Sequence, residues 1–348
     1  MQSTQSATGL SPALALRQLI FGHRLTKLIL TAVELGLADH LAEGPQTSTQ
    51  LARLVQADER ALYRLLRALA SIGILTEVGQ DRFALTALGD GLRTDAPSGM
   101  RHWALFEGSD YYQQAWADLT HAIRTGETAF DHALGMDFYR YMAQYPDAGR
   151  SFNEAMIDFS ALAVASVVEA YDFMGFGRIV DVGGGYGTLL GSILRAHPQT
   201  RGVLFDLPAV VAGAEPHLAR AGLLDRCELI GGDMFEAVPA DGDLYLLSRI
   251  LMVYDDTDCV RILEKCRRAM AERGRVLIIQ QVMPPPGDDT SRDALFEAAM
   301  SDLNMLVLVT GRERTEAEYG QLLAAAGLRL ERVIPTRSLM SIVEGRRA

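Results

Sequence analysis

Arg178-Ile-Val-Asp-Val-Gly-Gly-Gly-Tyr-Gly187 decides the fold of this 348-residue chain. A short β-branched run ends in an acid and then breaks into glycines, and Leu189 to Ala196 beyond it reads as a helix. Strand, glycine turn and helix in that order are how a doubly wound α/β sheet brings bare backbone against a nucleotide-like ligand. Glycine is required because a Cβ would stand between backbone and ligand, and because the turn uses φ/ψ values that other residues avoid. The stretch therefore predicts a site for an adenosine-containing cofactor.

Strand and helix alternate from this point onward. Strand-like runs are Arg178–Val182, Gly202–Leu207, Cys227–Ile230, Leu244–Ile250 and Val276–Val282, with helical runs Thr188–Ala196, Pro208–Ala221 and Asp256–Met270 between them. That pattern predicts a parallel sheet covered on both faces. A Pro284-Pro-Pro-Gly287 loop, an apolar helix from Asp293 to Val309 and a helix from Thr315 to Ala326 follow, the last stopped by Gly327. Two final strands, Arg329–Pro335 and Ser338–Glu344, are split by a tight turn, so the sheet is expected to end in an antiparallel hairpin.

Upstream the chain is helical. Leu14 to Gly36 carries apolar residues at helical spacing, including Leu19, Leu25, Ile29, Ala32 and Leu35. Two short helices, Thr47–Val55 and Glu59–Ser71, precede two short extended runs, Ile74–Val78 and Asp81–Leu85, which together predict a winged helix. Its second helix holds Arg60, Arg64 and Arg67, but acids surround it and the whole chain carries a formal charge of -11. Neutralising phosphates needs clustered Lys and Arg, so dimerisation is expected here and not DNA binding. Residues 98 to 170 are helical and rich in aromatics, which at this spacing read equally as plain core or as the lining of a substrate lid placed just before the cofactor domain. The partition expected is 1–97 for dimerisation, 98–170 for the lid and 171–348 for catalysis.

Hydrophobic residues make up 49% of the chain, enough for a large core. Three cysteines, Cys227, Cys259 and Cys266, form neither a paired framework nor a CxxC metal site, and no metal is expected. No leader is read at the start of the chain, and no apolar run reaches the roughly 18 residues a membrane span needs. The expected setting is soluble, reducing and cytoplasmic, with no membrane or nucleic-acid partner.

Gly183, Gly185 and Gly187 followed by Asp206 at the end of the second strand are shared by NAD sites and S-adenosylmethionine (SAM) sites. Gly231-Gly-Asp-Met-Phe235, closing the third strand, separates the two. An acid followed by a large apolar residue can accept from an adenine amino group and pack its face, and SAM fits that pair better.

With these motifs in view the chain resembles the plant caffeate-type and bacterial small-molecule O-methyltransferases. The resemblance rests on Val180-Asp-Val-Gly-Gly-Gly-Tyr-Gly, Phe205-Asp-Leu-Pro, Gly231-Gly-Asp-Met-Phe, Gly311-Arg-Glu-Arg-Thr and the Phe152-Asn-Glu-Ala-Met156 helix, and covers nearly the whole chain. It implies a class I SAM-dependent methyltransferase homodimer acting on an aromatic small molecule. The cofactor contacts it implies are Ser160, Gly183, Gly185, Asp206, Leu207, Asp233, Met234, Ser248 and Arg249. The acceptor pocket expected from it comprises Met156, Phe159, Met252, Asp302 and Met305.

The chain departs from that family at the reacting centre. Where the family's fourth strand runs into a His-Asp-Trp triplet, this one reads Met252-Val-Tyr254, and the glutamate that orients the histidine is replaced by Gln280. A second supporting glutamate is retained as Glu313. All seven histidines lie at or before His217, so none on this strand substitutes. A phenol ordinarily ionises near pH 10, so a base is worth about 10²–10⁴-fold to its methylation. Methionine cannot take that proton, whereas a nitrogen with a free lone pair needs no such help. The resemblance also implies that relatives methylating phenazine-type ring nitrogens lack this histidine, and that a few members bind SAM for non-methylating chemistry. Tyr254, Asp255, Asp302 and Glu313 remain as candidate displaced bases. For Asp255 and Asp256 capping of the next helix is the favoured reading. Glu313 and Arg314 have a capping alternative too, at the Thr315 helix. N-methylation is the leading expectation, ahead of O-methylation with a relocated base, and a DNA-binding regulator is the rival from another class.

Overall fold

The structure, a computed structural model, describes residues 11–96, 99–285 and 292–348, with the backbone alone at Ala161 and Leu162. The Pro284–Gly287 loop therefore ends outside the described residues. The chain divides into two compact units, one up to Gln113 and one from Gln114.

In the first unit the single helix expected over Leu14–Gly36 is two, α1 (Pro12–Ile20) and α2 (Gly22–Glu34). The break falls at Phe21, directly before Gly22, a residue type that costs a helix about 1 kcal/mol relative to alanine. The Arg17 and Arg24 guanidiniums both lie over the Phe21 ring, at 4.6 and 4.3 Å. Then come α3 (Leu37–Leu41), β1 (Gln46–Thr47), α4 (Ser48–Leu54), α5 (Glu59–Ser71), β2 (Leu75–Glu77), β3 (Arg82–Leu85), α6 (Ala87–Asp90) and α7 (Arg101–Gly108). A capping box between Thr47 and Gln50 starts α4, and Asp58 caps α5. Leu62, Leu66 and Leu69 recur at helical spacing and bury one face of α5 against Val33, Leu37, Leu51 and Phe83. The three-stranded antiparallel sheet β1-β3-β2 completes the winged helix. No residue of α1 is buried, and Leu14, Leu16, Leu19 and Ile20 are exposed.

The second unit begins within α8 (Asp110–Ala117) and continues through α9 (Leu119–Thr125), α10 (Ala129–Leu134), α11 (Phe138–Gln144) and α12 (Pro146–Ala170). Trp116 donates to Asn304 at 3.2 Å. Next come β4 (Arg178–Val182), α13 (Thr188–Ala196), β5 (Arg201–Asp206), α14 (Pro208–Arg220), β6 (Cys227–Gly231), β7 (Leu244–Ser248), a 3₁₀ turn Leu251–Val253, α15 (Asp256–Ala269), β8 (Arg275–Gln280), α16 (Arg292–Leu308), α17 (Glu316–Ala325), β9 (Leu328–Pro335) and β10 (Ser341–Arg347). The order across the sheet is β6-β5-β4-β7-β8-β10-β9, parallel from β6 to β8 and antiparallel through β10 and β9. β4 has β5 on one side and β7 on the other, so the strand order reverses at its C-terminal end. That is where an open α/β sheet forms its crevice. Ile179 belongs to the core on the α12–α14 face, Val180 and Val182 to the core under α15 and α17. Cys259 and Cys266 are both buried in the second of these, as their spacing on one helix face predicts.

The last strand starts three residues later than its sequence indicates. Thr336 and Ser338 hydroxyls take over residues 336–340: Thr336 Oγ1 donates to the Met340 carbonyl at 2.6 Å, and Ser338 Oγ accepts from the Met340 amide at 3.2 Å. These local bonds replace ladder bonds. Within β10, Glu344 is 1% exposed and accepts from Arg275, from Arg332 at 2.7 Å and from Tyr171 at 3.1 Å. Removing Glu344 leaves the buried Tyr171 hydroxyl without its acceptor and two half-exposed arginines unpaired, so Glu344→Ala is expected to lower stability by about 1–3 kcal/mol in chemical denaturation. A loss below about 1 kcal/mol would mean that the cluster behaves as an exposed ion pair.

Among the described residues no single helix is long and apolar enough to cross a membrane.

Candidate functional site

The ends of β6, β5, β4 and β7 bring the sequence-predicted cofactor residues to one edge of the sheet. Gly183 (φ +69°) and Gly185 (φ +58°) have left-handed backbone for different reasons. A Cβ on Gly183 would lie 2.3 Å from Ile250 Cδ1, whereas one on Gly185 would meet nothing within 4 Å. Gly185 therefore borders open space, where bare backbone can approach a ligand closely. Its amide donates to Asp206 Oδ2 at 2.8 Å, and Leu207 donates to Asp206 Oδ1 at 2.7 Å. Two backbone amides thus fix the carboxylate at the mouth of the crevice, with lone pairs remaining for a pair of hydroxyls. Leu207 beside it is 52% exposed, an apolar face turned to solvent where a base could lie.

Asp233 holds its own turn, accepting from Phe235 N at 2.8 Å, and is exposed at the end of β6 with Met234 half-buried next to it. The Phe235 ring meets Tyr254 edge-on at 5.1 Å. Burial pushes the Tyr254 hydroxyl up to about 12, with Asp206 and Asp233 adding to it. Tyr254 thus belongs beside the two cofactor carboxylates and is a poor base at neutral pH. Asp181, under the glycine loop, was not singled out from the sequence. Burial and then Asp206 push it up to about 7, and its Oδ1 has no hydrogen-bond partner. Its position two residues before Gly183, on the inward alternation of β4, was the available signal.

The other half of the site gathers around the 3₁₀ turn. Met252 is 3% exposed and Met305 is 7% exposed. A Cβ at Gly311 would stand 2.1 Å from the Met252 carbonyl oxygen, so the loop bearing Glu313 lies directly on this turn. Neither Glu313 nor Arg314 caps the next helix. Thr315 does, in a capping box with Glu318. Glu313 is 3% exposed; its Oε1 accepts from Ser301 at 2.7 Å, its amide donates to Asp302 Oδ1 at 2.8 Å, and its Oε2 has no partner. Asp302 thus spends one oxygen on this loop. Burial pushes Glu313 up to about 7, opposed by Ser301 and Arg249. Gln280 is fully buried, hydrogen-bonded to Tyr319, with its own Oε1 unpartnered. Asp255 caps α15 as expected, while Asp256 pairs with Arg314 and Arg312.

Ser248 is half-buried at the end of β7. Arg249 follows it and stacks its guanidinium 4.0 Å from the Phe159 ring centre, which ties the Met156–Ser160 stretch of α12 to the strand end. Tyr139 of α11 also lies near enough to feel Asp206, Tyr254 and Arg249. It was one of many aromatics before the sheet, and no spacing singled it out. Met156, Phe159 and Ser160 are all half-buried.

The pattern of the O-methyltransferase domain family matches residues 116–329, and that of the O-methyltransferase dimerisation domain matches residues 17–95. The chain is 44% identical over 331 residues to a phenazine O-methyltransferase of Lysobacter antibioticus, covering 95% of each chain. It is 35% identical to the phenazine-1-carboxylate N-methyltransferase of Pseudomonas aeruginosa, covering 94% of this chain and 95% of that one. Among solved structures it is similar to an O-methyltransferase from neocarzinostatin biosynthesis in complex with SAM and 2-hydroxy-5-methyl naphthoic acid. That similarity has a TM-score of 0.77 and 33% identity, over 93% of this chain and 96% of that one.

Glu313 carries a testable pH signature. An acid whose folded pKa is raised binds its proton more tightly folded than unfolded. That stabilisation is complete below the ordinary glutamate value and is lost as pH rises through about 7. The full swing is about 3 kcal/mol. Thermal melts at pH 6 and pH 8 should therefore show a smaller loss for Glu313→Gln than for the wild type; parallel losses would contradict the burial of this carboxyl.

Proposed function

The chain belongs to the O-methyltransferase family and is a SAM-dependent methyltransferase of the class I fold, and from that premise we propose that it methylates an aromatic heterocycle at nitrogen, as a cytoplasmic homodimer, without a histidine base. The observation that carries this reading is Met252, which fills the position of the proton acceptor with a buried thioether. A ring nitrogen has its lone pair free, so holding it in line with the methyl group is the main catalytic task. The name of the Pseudomonas aeruginosa relative, an N-methyltransferase, supports the choice of atom.

In this reading Gly183, Gly185, Asp206, Leu207, Asp233, Met234, Ser248, the Arg249 backbone and Ser160 hold SAM. Open space at Gly185, the amide-fixed Asp206 and the exposed Leu207 fit the ribose and adenine of that molecule. Bound there, SAM supplies a methyl group on an electrophilic sulfonium. Met156, Phe159, Met252, Asp302 and Met305 wall the acceptor, with residues 98–170 as the lid. The exposed apolar residues of α1 support dimerisation, since one small unit leaves them uncovered.

A second reading is favoured by one observation: Glu313, pushed up to about 7 with an unpartnered Oε2, is the group best tuned to accept a proton. It would serve O-methylation, as the name of the Lysobacter antibioticus relative suggests.

Matched phenols and ring-nitrogen heterocycles, tested with SAM against the wild type and Met252→His, separate the two. Nitrogen transfer by the wild type, with phenol methylation rising about 10-fold or more in Met252→His, is expected. Phenol methylation at full rate by the wild type, abolished in Glu313→Gln, would instead establish the second reading. Asp206→Ala is expected to weaken S-adenosylhomocysteine binding about 10–100-fold in calorimetry, the loss of charge-assisted bonds to two hydroxyls. Unchanged binding would remove Asp206 from the cofactor site.

A further inference from the structure

Arg249 adopts φ +59°, the left-handed region that a side chain rarely enters and that functional sites retain. Its amide is fixed to the Ile279 carbonyl at 2.9 Å, so the strained turn belongs to the sheet and aims the side chain. The guanidinium comes to lie over Phe159 at 4.0 Å. Among the described residues no hydrogen bond or ion pair takes any of its five donors. Withdrawal from water pulls it down to about 10, with Glu313 and Tyr139 opposing. Glu313 is near enough to raise it but forms no ion pair or hydrogen bond with it: one oxygen of that carboxyl belongs to Ser301, and the other has no hydrogen-bond partner.

A planar fork of donors on an aromatic face, half-withdrawn from water and unpaired, is built to receive an anionic oxygen pair. We propose that Arg249 makes the acceptor site selective for an aromatic acid, a planar ring whose carboxylate the guanidinium grips beside Phe159. This inference rests on the reading of the cleft as a methyl-transfer site and adds the substrate class to it. The methionine carboxylate of SAM offers the same chemistry, so the test must separate the two.

S-adenosylhomocysteine binding by the wild type is measured first; its absence would remove the methyl-transfer reading and this inference together. The saturated enzyme is then titrated calorimetrically with phenazine-1-carboxylate and with the matching carboxamide. The acid is expected to bind about 10–100-fold tighter, the worth of a bidentate charge-assisted pair. Arg249→Met should erase that difference by weakening the acid alone. Arg249→Lys, which keeps the charge without the fork, should restore part of it. Equal weakening of acid and carboxamide, equal binding of both by the wild type, or binding of neither would each overturn the proposal. So would a loss of S-adenosylhomocysteine affinity in Arg249→Met that 5′-methylthioadenosine, which lacks the carboxylate, does not share. That last outcome would assign Arg249 to the cofactor.

Discussion

The acceptor half of this molecule hangs on one buried cation. Arg314 is fully buried and donates to the carbonyls of Leu251, at 2.7 Å, Tyr254, at 2.9 Å, and Arg312, at 3.1 Å, while Asp256 takes its Nε and Nη2. A guanidinium taken out of water costs several kcal/mol unless its donors are all used. Here they are used on the carbonyls at both ends of the turn that carries Met252. The turn cannot relax without stranding the charge. The same residue is bonded through its backbone to Met283, at 2.9 Å, so the turn, the loop after α16 and the end of β8 move as one body. Gly311 completes the lock, because only a hydrogen fits against the Met252 carbonyl.

Each half of the site holds a buried carboxyl pushed up to about 7 by withdrawal from water, Asp181 under the glycine loop and Glu313 beside the Met252 turn. Asp206 is raised by burial too, but two backbone amides donate to it and oppose that shift, which suits it to accept from hydroxyls. Tyr254 lies with the cofactor side: burial first, and then Asp206 and Asp233, raise its hydroxyl. A displaced base on this chain would therefore have to come from the α16 side and not from the strand where relatives keep theirs.

Much of this was legible in the sequence, and for a physical reason. Period-2 alternation and glycine turns are local, so β4 through β8 and the cofactor loop follow from Arg178–Gly187 outward with boundaries shifted by two residues at most. Asp206 and Asp233 were legible because strand ends in a parallel sheet necessarily share an edge. A break at Phe21 divided a helix that apolar spacing alone made continuous, and hydroxyl turns at Thr336 and Ser338 moved a strand three residues along without changing its length. What no local pattern records is direction. Arg249 was read as a cofactor contact from the family resemblance, and the left-handed turn that carries its guanidinium to Phe159 is a backbone property of a residue type that rarely adopts it. Ser301 and Tyr139 escaped for the same reason: each matters through a partner distant in sequence.

The absence of a histidine and the presence of Gln280 are one change, not two. In the family that the chain resembles, a glutamate at the end of this strand, where Gln280 stands, orients the histidine, and a second glutamate supports it. Remove the imidazole alone, and two buried carboxylates would face each other across the Met252 turn with no charge between them. Such a pair cannot both ionise. Gln280 resolves this by being neutral, and its amide has two orientations in the pocket. With its oxygen toward Tyr319, the hydroxyl donates to that oxygen and the amide nitrogen turns to the free Oε2 of Glu313, satisfying both unpartnered atoms. Glu313 is then held by Ser301 and Gln280, with Arg249 nearby, and burial still raises it to about 7. A glutamine at 280 thus leaves one buried carboxyl beside the Met252 turn where a glutamate would have made two.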